Sequence, residues 1–142
     1  MRVDEHVARA RFTSARVARL GTVDDQGRPH LVPVTFAVRG DTIVTAVDHK
    51  PKQTTDLKRL RNITANPNVS LLADRYAEDW TRLWWVRVDG TARVVEPPGD
   101  GFPADAVSWL RAKYDQYRDT PPAGPVIRID ATAWTGWQWS DR

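Results

Sequence analysis

Residues 45–72 read TAVDHKPKQTTDLKRLRNITANPNVSLL. The segment parses as the end of a strand, a basic loop, a short helix over residues 53–64, a turn at Asn66-Pro67, and a new strand over residues 68–76. Leu57, Leu60 and Ile63 recur every third residue and give the helix an inward stripe. Thr54 or Thr55 is placed to cap it. Lys50 and Lys52 come just before the expected helix start, with His49 on the same loop. Helix N-termini carry unpaired N–H groups and partial positive charge, so a lysine pair there suits a phosphate. Lysine serves that purpose as a point charge.

The flanking sequence is mostly strand. Residues 4–15 predict a helix with Val7, Ala10 and Arg11 near one stripe and Phe12 closing it. Residues 17–23 predict a strand, and Asp24-Asp25-Gln26-Gly27 a hairpin turn with glycine at a positive φ. Residues 30–38, HLVPVTFAV, are apolar on both faces, which predicts a strand buried on two sides. Pro33 lacks an N–H donor, so it marks either an edge position or backbone that faces something other than a strand. Residues 42–47 form the next strand. Residues 80–95 form a strand pair or one bent strand, with Asp89-Gly90 as a turn or bulge. Residues 103–117 predict an amphipathic helix with Pro103 in its first turn and Val107, Leu110, Tyr114 and Tyr117 at helical spacing. Residues 126–139 close the chain as strand. Six strands joined by tight turns, with flanking helices, favour a mainly β antiparallel barrel in a single domain over residues 1–142.

Composition excludes several classes. The chain has 142 residues, 41% apolar and 27% charged, as in a globular domain. No apolar run reaches the roughly 18–20 residues of a membrane span, and the first twelve residues lack the apolar core of a secretory signal. Cysteine is absent, which removes disulfides and thiolate chemistry and fits a cytoplasmic address. A net charge of +3 is small, acidic residues are interspersed, and no nucleic-acid recognition motif accompanies it. His6, His30 and His49 are isolated, so no metal site is expected. Seven tryptophans suit cores, interfaces and ring-binding sites alike.

Four motifs in order carry a resemblance: Gly27-Arg28-Pro29-His30-Leu31-Val32-Pro33-Val34, Lys50-Pro51-Lys52, Asn66-Pro67-Asn68-Val69-Ser70-Leu71, and Trp84-Trp85-Val86-Arg87-Val88-Asp89-Gly90. Together they resemble the split β-barrel flavin and deazaflavin proteins related to pyridoxamine 5′-phosphate oxidase. They look most like the actinobacterial branch that uses coenzyme F420. The resemblance implies a six-stranded antiparallel split barrel of the FMN-binding type, and a homodimer with cofactor at the subunit interface. It implies that the strand of His30, Val32, Pro33, Val34 and Thr35 runs beside the cofactor ring. Lys52 matches the family's phosphate lysine, with Lys50 and His49 beside it. Lys58, Arg59 and Arg61 are placed to meet the γ-glutamyl tail that F420 carries and FMN lacks. Trp84 and Trp85 lie where such proteins present residues to the partner's site. Adjacent strand residues face opposite sides, so only one of the two can face a cofactor.

The resemblance implies an oxidoreductase that transfers hydride from reduced F420 to a polarised double bond, such as an enone, quinone or bilin. The alternatives are an FMN-binding oxidoreductase of the same fold, a non-catalytic F420 carrier, and a haem-handling split barrel in which His30 or His49 would be the axial ligand. No carboxylate pair or His–Asp dyad identifies a general acid. The acidic residues Asp24, Asp25, Glu78 and Asp79 read as turn and loop charges.

Overall fold

The structure, a computed structural model, describes residues 1–47 and 57–140. In chain order these form β1 (Arg2–Val3), α1 (Glu5–Ser14), β2 (Ala18–Val23), β3 (Pro29–Val34), β4 (Ala37–Arg39), β5 (Thr42–Ala46), α2 (Lys58–Ala65), β6 (Asn68–Arg75), a 3-10 turn (Trp80–Arg82), β7 (Trp84–Val95), α3 (Phe102–Lys113), α4 (Gln116–Asp119) and β8 (Val126–Gln138). The fold is mainly antiparallel β with flanking helices, as expected. The described residues hold eight strands rather than six. Two-residue β1 is extra, and the strand expected over residues 30–38 is two strands.

That division shapes the barrel. The sheet runs β3-β2-β6-β7-β8-β5-β4, with β1 on β8. β3 and β4 are therefore its opposite edges, yet only Thr35 and Phe36 connect them. Three Cα–Cα steps reach no more than about 10 Å, so the sheet must curl until its edges nearly meet. A seam remains where β3 and β4 do not pair.

The interior follows the strand alternation. Leu20, Leu71, Val86, Val88, Ile127 and Ile129 are fully buried. α1 plugs one end with Phe12, as expected, and with Ala8, four residues before it on the same helix face, in place of the expected Val7 and Ala10. The Phe12 ring lies 4.6 Å from that of Phe36, tilted by 40°, and edge-on at 5.8 Å to Trp134. A second cluster packs α3 against the outer side of β4 and β5, through Phe102, Ala106, Leu110, Ala37, Val44 and Ala46. Burial on two sides thus holds for β4 and β5. It fails for β3, where Leu31 is 71% exposed. β3 is an edge strand, so Pro33 costs no ladder bond there.

Several local readings hold. Asp24 and Gly27 form the hairpin turn, with Gly27 at φ 78°. Leu60 and Ile63 are the inward stripe of α2, and Asn66 caps its end. α2 itself begins later than expected. Leu57 is extended and stands as its N-cap, so the helix starts six residues beyond Lys52. The expected caps Thr54 and Thr55 lie outside the described residues. β7 is one long strand, and its register against β8 shifts between Asp89 and Gly90, leaving Thr132 as the extra residue. The helix expected over residues 103–117 breaks at Tyr114, which turns extended. Its hydroxyl is held by Phe36 and Arg16 instead. No helix among the described residues is long and apolar enough to cross a membrane.

Two predictions follow from this packing. A Cβ on Gly90 would sit 2.5 Å from the backbone oxygen of Asp130, and neither backbone can retreat. Gly90→Ala is expected to destabilise by about 2 to 3 kcal/mol in urea unfolding. Lys113 is half-buried with its ammonium 3.7 Å from the Phe36 ring centre. Burial, with Arg16 nearby, lowers its pKa to about 8, despite the favourable ring face. An unfolded lysine titrates near 10.5, so between these values the unfolded state binds more protons and stability rises with pH. The melting temperature should climb from pH 8 toward pH 10, and Lys113→Met should lack that climb. Above pH 10 the Tyr114 phenol, which burial pushes up, acts in the opposite direction.

Candidate functional site

At the seam the described residues leave a cleft of about 210 Å³, lined by Val17, Pro33, Val34, Thr35, Thr45, Ala46 and Arg59. Each wall has a physical reason. Pro33 and Val34 end β3 on the sheet edge, which presents backbone groups to no neighbouring strand. Thr35 belongs to the two-residue link. Thr45 and Ala46 end β5, and Arg59 reaches in from the first turn of α2.

The link is held by two phenols. Tyr114 Oη accepts from the Phe36 amide at 3.1 Å and lies 2.9 Å from the Arg16 carbonyl and 3.1 Å from the Phe36 carbonyl. Its single hydrogen is directed at these two carbonyls. Tyr117 Oη lies 2.7 Å from Thr35 Oγ1. The two rings meet edge-on at 5.7 Å. Arg16 adjoins Val17 on one side of the cleft, and Phe36 adjoins Thr35 on another. Tyr114 thus ties two walls together.

The residues singled out in the sequence distribute as follows. Pro33, Val34 and Thr35 come together in the cleft. Val32 faces inward and packs against the core. His30 pairs with Thr22 in register and its Nδ1 is buried with no hydrogen-bond partner among the described residues. It does not line this cleft. Thr22 accepts a hydrogen bond from buried Asn62 of α2 at 3.0 Å, so His30 belongs to the end of the barrel that α2 covers. His49, Lys50 and Lys52 lie outside the described residues. Lys58 is not at the seam: its ammonium is 3.7 Å from Asp24 Oδ2, in a second cleft of about 330 Å³ with Asp25, Arg28, Arg61 and Asn62.

Trp84 and Trp85 divide as the strand pleat requires. Trp84 packs against the barrel core, with the Arg11 guanidinium 5.7 Å from its ring centre. Trp85 lies on the outer face, opposite Trp137 on β8 and Asp74 on β6. Of the other tryptophans, Trp134 joins the core. Its ring carries the Arg9 guanidinium at 4.6 Å, and Asp41 pairs with that same guanidinium at 2.6 Å. The expected turn charges are turn charges: Asp24 accepts from the Gln26 and Arg28 amides, and Asp79 from Thr81. These bonds hold both carboxyls below the usual carboxylate range. Among the described residues no three His, Cys, Asp or Glu side chains group as metal ligands.

Thr45, Val17 and the two tyrosines were not assigned to a cofactor contact from sequence, and Arg59 was expected at an anionic tail together with Lys58 and Arg61, whereas it lines the seam cleft. The α2 stripe carried the only available signal. With Leu60 and Ile63 inward, Lys58 and Arg61 fall toward one flank and Arg59 toward the other. The sequence does not say which flank meets β3.

The described cleft has no titratable carboxylate or histidine, one guanidinium, and strand-edge backbone. That donor set can orient a planar polar ring and hold an anion; it does not supply a proton-transfer pair. No protein of curated function matches the chain in sequence. Among solved structures, an FAD-binding protein of Mesorhizobium loti matches with a TM-score of 0.76 at 20% identity, covering 99% of this chain and 98% of that one. An FAD-binding protein of Mycobacterium smegmatis matches with a TM-score of 0.69 at 21% identity, covering 98% of each. The haem storage protein HutZ of Vibrio cholerae matches with a TM-score of 0.70 at 18% identity, covering 97% and 95%. At these identities the likeness is one of fold. A family model described as pyridoxamine 5′-phosphate oxidase matches residues 4–138, nearly the full length of the barrel. The eight-stranded sheet split between β3 and β4 is a split barrel, and the chain belongs to the pyridoxamine 5′-phosphate oxidase family.

Proposed function

We propose that this protein is an oxidoreductase that binds reduced coenzyme F420 in the seam cleft and passes hydride to a polarised double bond of a small acceptor, such as an enone, quinone or bilin. The observation that carries the reading is the convergence of Pro33, Val34 and Thr35 with Arg59 at the split of the barrel. When bound, the deazaflavin supplies the hydride. The chain's own contribution is to bind, orient and exclude water. The free edge of β3 offers backbone hydrogen bonds to the polar edge of a ring. The apolar sides of Val17, Val34 and Ala46 cover its face. Arg59 offers a fixed positive charge toward a phosphate or the ring's developing negative charge. Lys52 matches the family's phosphate lysine, with Lys50 beside it in sequence.

The basic residues of α2 favour the longer anionic cofactor. Arg59 stands at the cleft, while Lys58, Arg61 and Arg28 surround the neighbouring one. An anionic tail that leaves the seam across α2 passes from the first charge to the others. Asp24 already draws on Arg28 and Lys58, so the net attraction there is modest. FMN is the second reading, favoured by the likeness to flavin-binding barrels. A haem reading requires an axial ligand: His30 does not line the cleft, and His49 lies outside the described residues.

The same reading includes a homodimer. The described walls enclose about 210 Å³, less than the roughly 300–1,000 Å³ of a typical small-molecule site, and a second copy would add a further wall. The outer face of β3-β2-β6-β7 carries an apolar patch among the Arg19–Asp74 and Arg87–Asp89 pairs. Leu31 lies across Gly21, its Cδ2 3.2 Å from where a Cβ would stand. Leu72 is 39% exposed on the same face, and Trp85 and Trp137 are half-buried beside it. This patch would dock a second copy and place Trp85 near the partner's cleft.

Titration of the purified protein with F420, FMN and haem, followed by tryptophan fluorescence, is expected to give tight F420 binding. Arg59→Ala and Lys52→Ala should each weaken it about tenfold or more, the loss of one charge-assisted contact. FMN binding with no response to F420 would overturn the deazaflavin assignment. Leu31→Arg is expected to convert a dimer to a monomer in light scattering and to weaken cofactor binding with it. A dimer that survives Leu31→Arg together with Leu72→Arg would show that another face is used.

A further inference from the structure

We propose that the loop between β6 and β7 is an arm that a second copy of this chain extends over the seam cleft, where Tyr76 and Trp80 of the partner subunit form an aromatic wall for a flat, conjugated acceptor. The inference rests on the homodimer and acceptor readings above and names the segment that completes the site.

Apart from Met1, the large apolar side chains exposed among the described residues are Val17, Leu31, Leu72, Tyr76 and Trp80. They belong to one surface. Leu72 and Asp74 face outward on β6, and Tyr76 continues that phase past the strand end. Arg19 stands opposite Leu72 in register, so Val17, two residues earlier, comes opposite Asp74. The Arg19 guanidinium, 4.0 Å from Asp74, joins the same two segments. Val17 also lines the seam cleft. The apolar outer face and the cleft therefore share a border at Val17, and the β6–β7 loop springs from the strand end beside it. A copy seated on this face reaches the mouth of the cleft.

The loop is pinned yet its rings are bare. Asp79 Oδ1 accepts from the Thr81 amide at 3.0 Å and from the Thr81 hydroxyl at 2.6 Å. The Leu83 amide donates to the Trp80 carbonyl at 3.0 Å, and the Leu83 carbonyl accepts from the Trp139 amide at 3.0 Å. Leu83 itself is buried. Trp80 nevertheless remains 63% exposed and Tyr76 75% exposed. Neither ring stacks on another ring or a cation among the described residues, and no loop residue lines its own chain's cleft. The chain thus holds two large rings outward with nothing of its own to pack them on. Fixed backbone lowers the ordering cost of a contact, and Trp and Tyr supply much contact area for few rotatable bonds. A two-fold dimer makes each contact twice, so each copy's arm serves the other's cleft. Rings placed there stack on a flat conjugated molecule, opposite the β3 edge and Arg59.

The chain has no cysteine, so introduced thiols report without background. Copies carrying Trp80→Cys are co-expressed with copies of different tag length carrying Val17→Cys, and treated with a short bismaleimide in the absence of cofactor. A mixed covalent dimer is expected, and Leu31→Arg in both copies should abolish it. Pro33→Cys, on another wall of the cleft, is run alongside and decides if Val17→Cys fails to fold. For the acceptor, menadione, a flat quinone, is titrated into the F420-loaded protein by equilibrium dialysis. Trp80→Ala should weaken its binding about three- to tenfold, the loss of one stacked ring. Trp80→Phe should stay within about twofold of wild type, with unchanged melting temperatures in both variants. A dimer by light scattering that gives no mixed product, or a Trp80→Cys/Val17→Cys variant that cross-links only within one chain, would overturn the arm and leave the homodimer standing. Equal menadione affinity in wild type and Trp80→Ala overturns the acceptor wall. A monomeric wild type overturns the homodimer reading and this inference with it. A wild type that binds no F420 overturns the cofactor reading and the acceptor wall, while the cross-link still decides the arm.

Discussion

Thr35 and Phe36 carry the chain from one edge of the sheet to the other, and that link is too short to allow an open sheet. β3 and β4 are separated by five intervening strands in the pairing order and by two residues in sequence. Curling the sheet satisfies both conditions. Phe36 drops into the core against Phe12, while Thr35, one residue earlier and on the opposite side, faces the seam. The alternation that serves packing thus delivers a polar group to the cleft.

A two-residue crossing is not a strand, so its backbone groups need partners from elsewhere. The C-terminal end of α3 provides them. Tyr114 leaves the helix and spends its hydroxyl on Phe36 and Arg16. Lys113, held over Phe36 by the same turn, is a strained neighbour in electrostatic terms, because its charge has a ring face but no hydrogen-bond acceptor among the described residues. The α3–α4 unit is therefore more than a flanking helix. It seals β4 and β5 on their outer side and braces the seam at the point where the cleft opens.

Charge is partitioned by the phase of α2. Leu60 and Ile63 bind the helix to the barrel, which leaves Arg59 on the seam side and Lys58 with Arg61 on the hairpin side. Asp24 then absorbs part of the hairpin-side charge while capping its own turn. The described acidic residues serve turns and surface pairs, and the cleft is lined by a guanidinium, hydroxyls and strand-edge backbone. Such a site binds and orients, and leaves the electron chemistry to whatever it binds.

Much of this was legible along the chain. Asp24–Gly27, the Leu60/Ile63 stripe, the Asn66-Pro67 stop, the Asp89-Gly90 irregularity and the edge character of Pro33 are local signals, each set by a few neighbouring residues. The motif order carried the family. Readings that depended on distant partners went differently. The run HLVPVTFAV is equally apolar throughout, and its division into an exposed edge strand, a link and a doubly buried strand depends on α3 covering one half only. The helix over residues 103–117 stops early because Tyr114 finds backbone partners about a hundred and about eighty residues away. Lys58 and Arg59 are neighbours with the same charge, and helix phase against β2 and β7 sends one to Asp24 and the other to the cleft. Local pattern sets periodicity, and periodicity specifies which residues share a face. Which face meets which is set by closure of the sheet, a contact between residues that no local pattern relates.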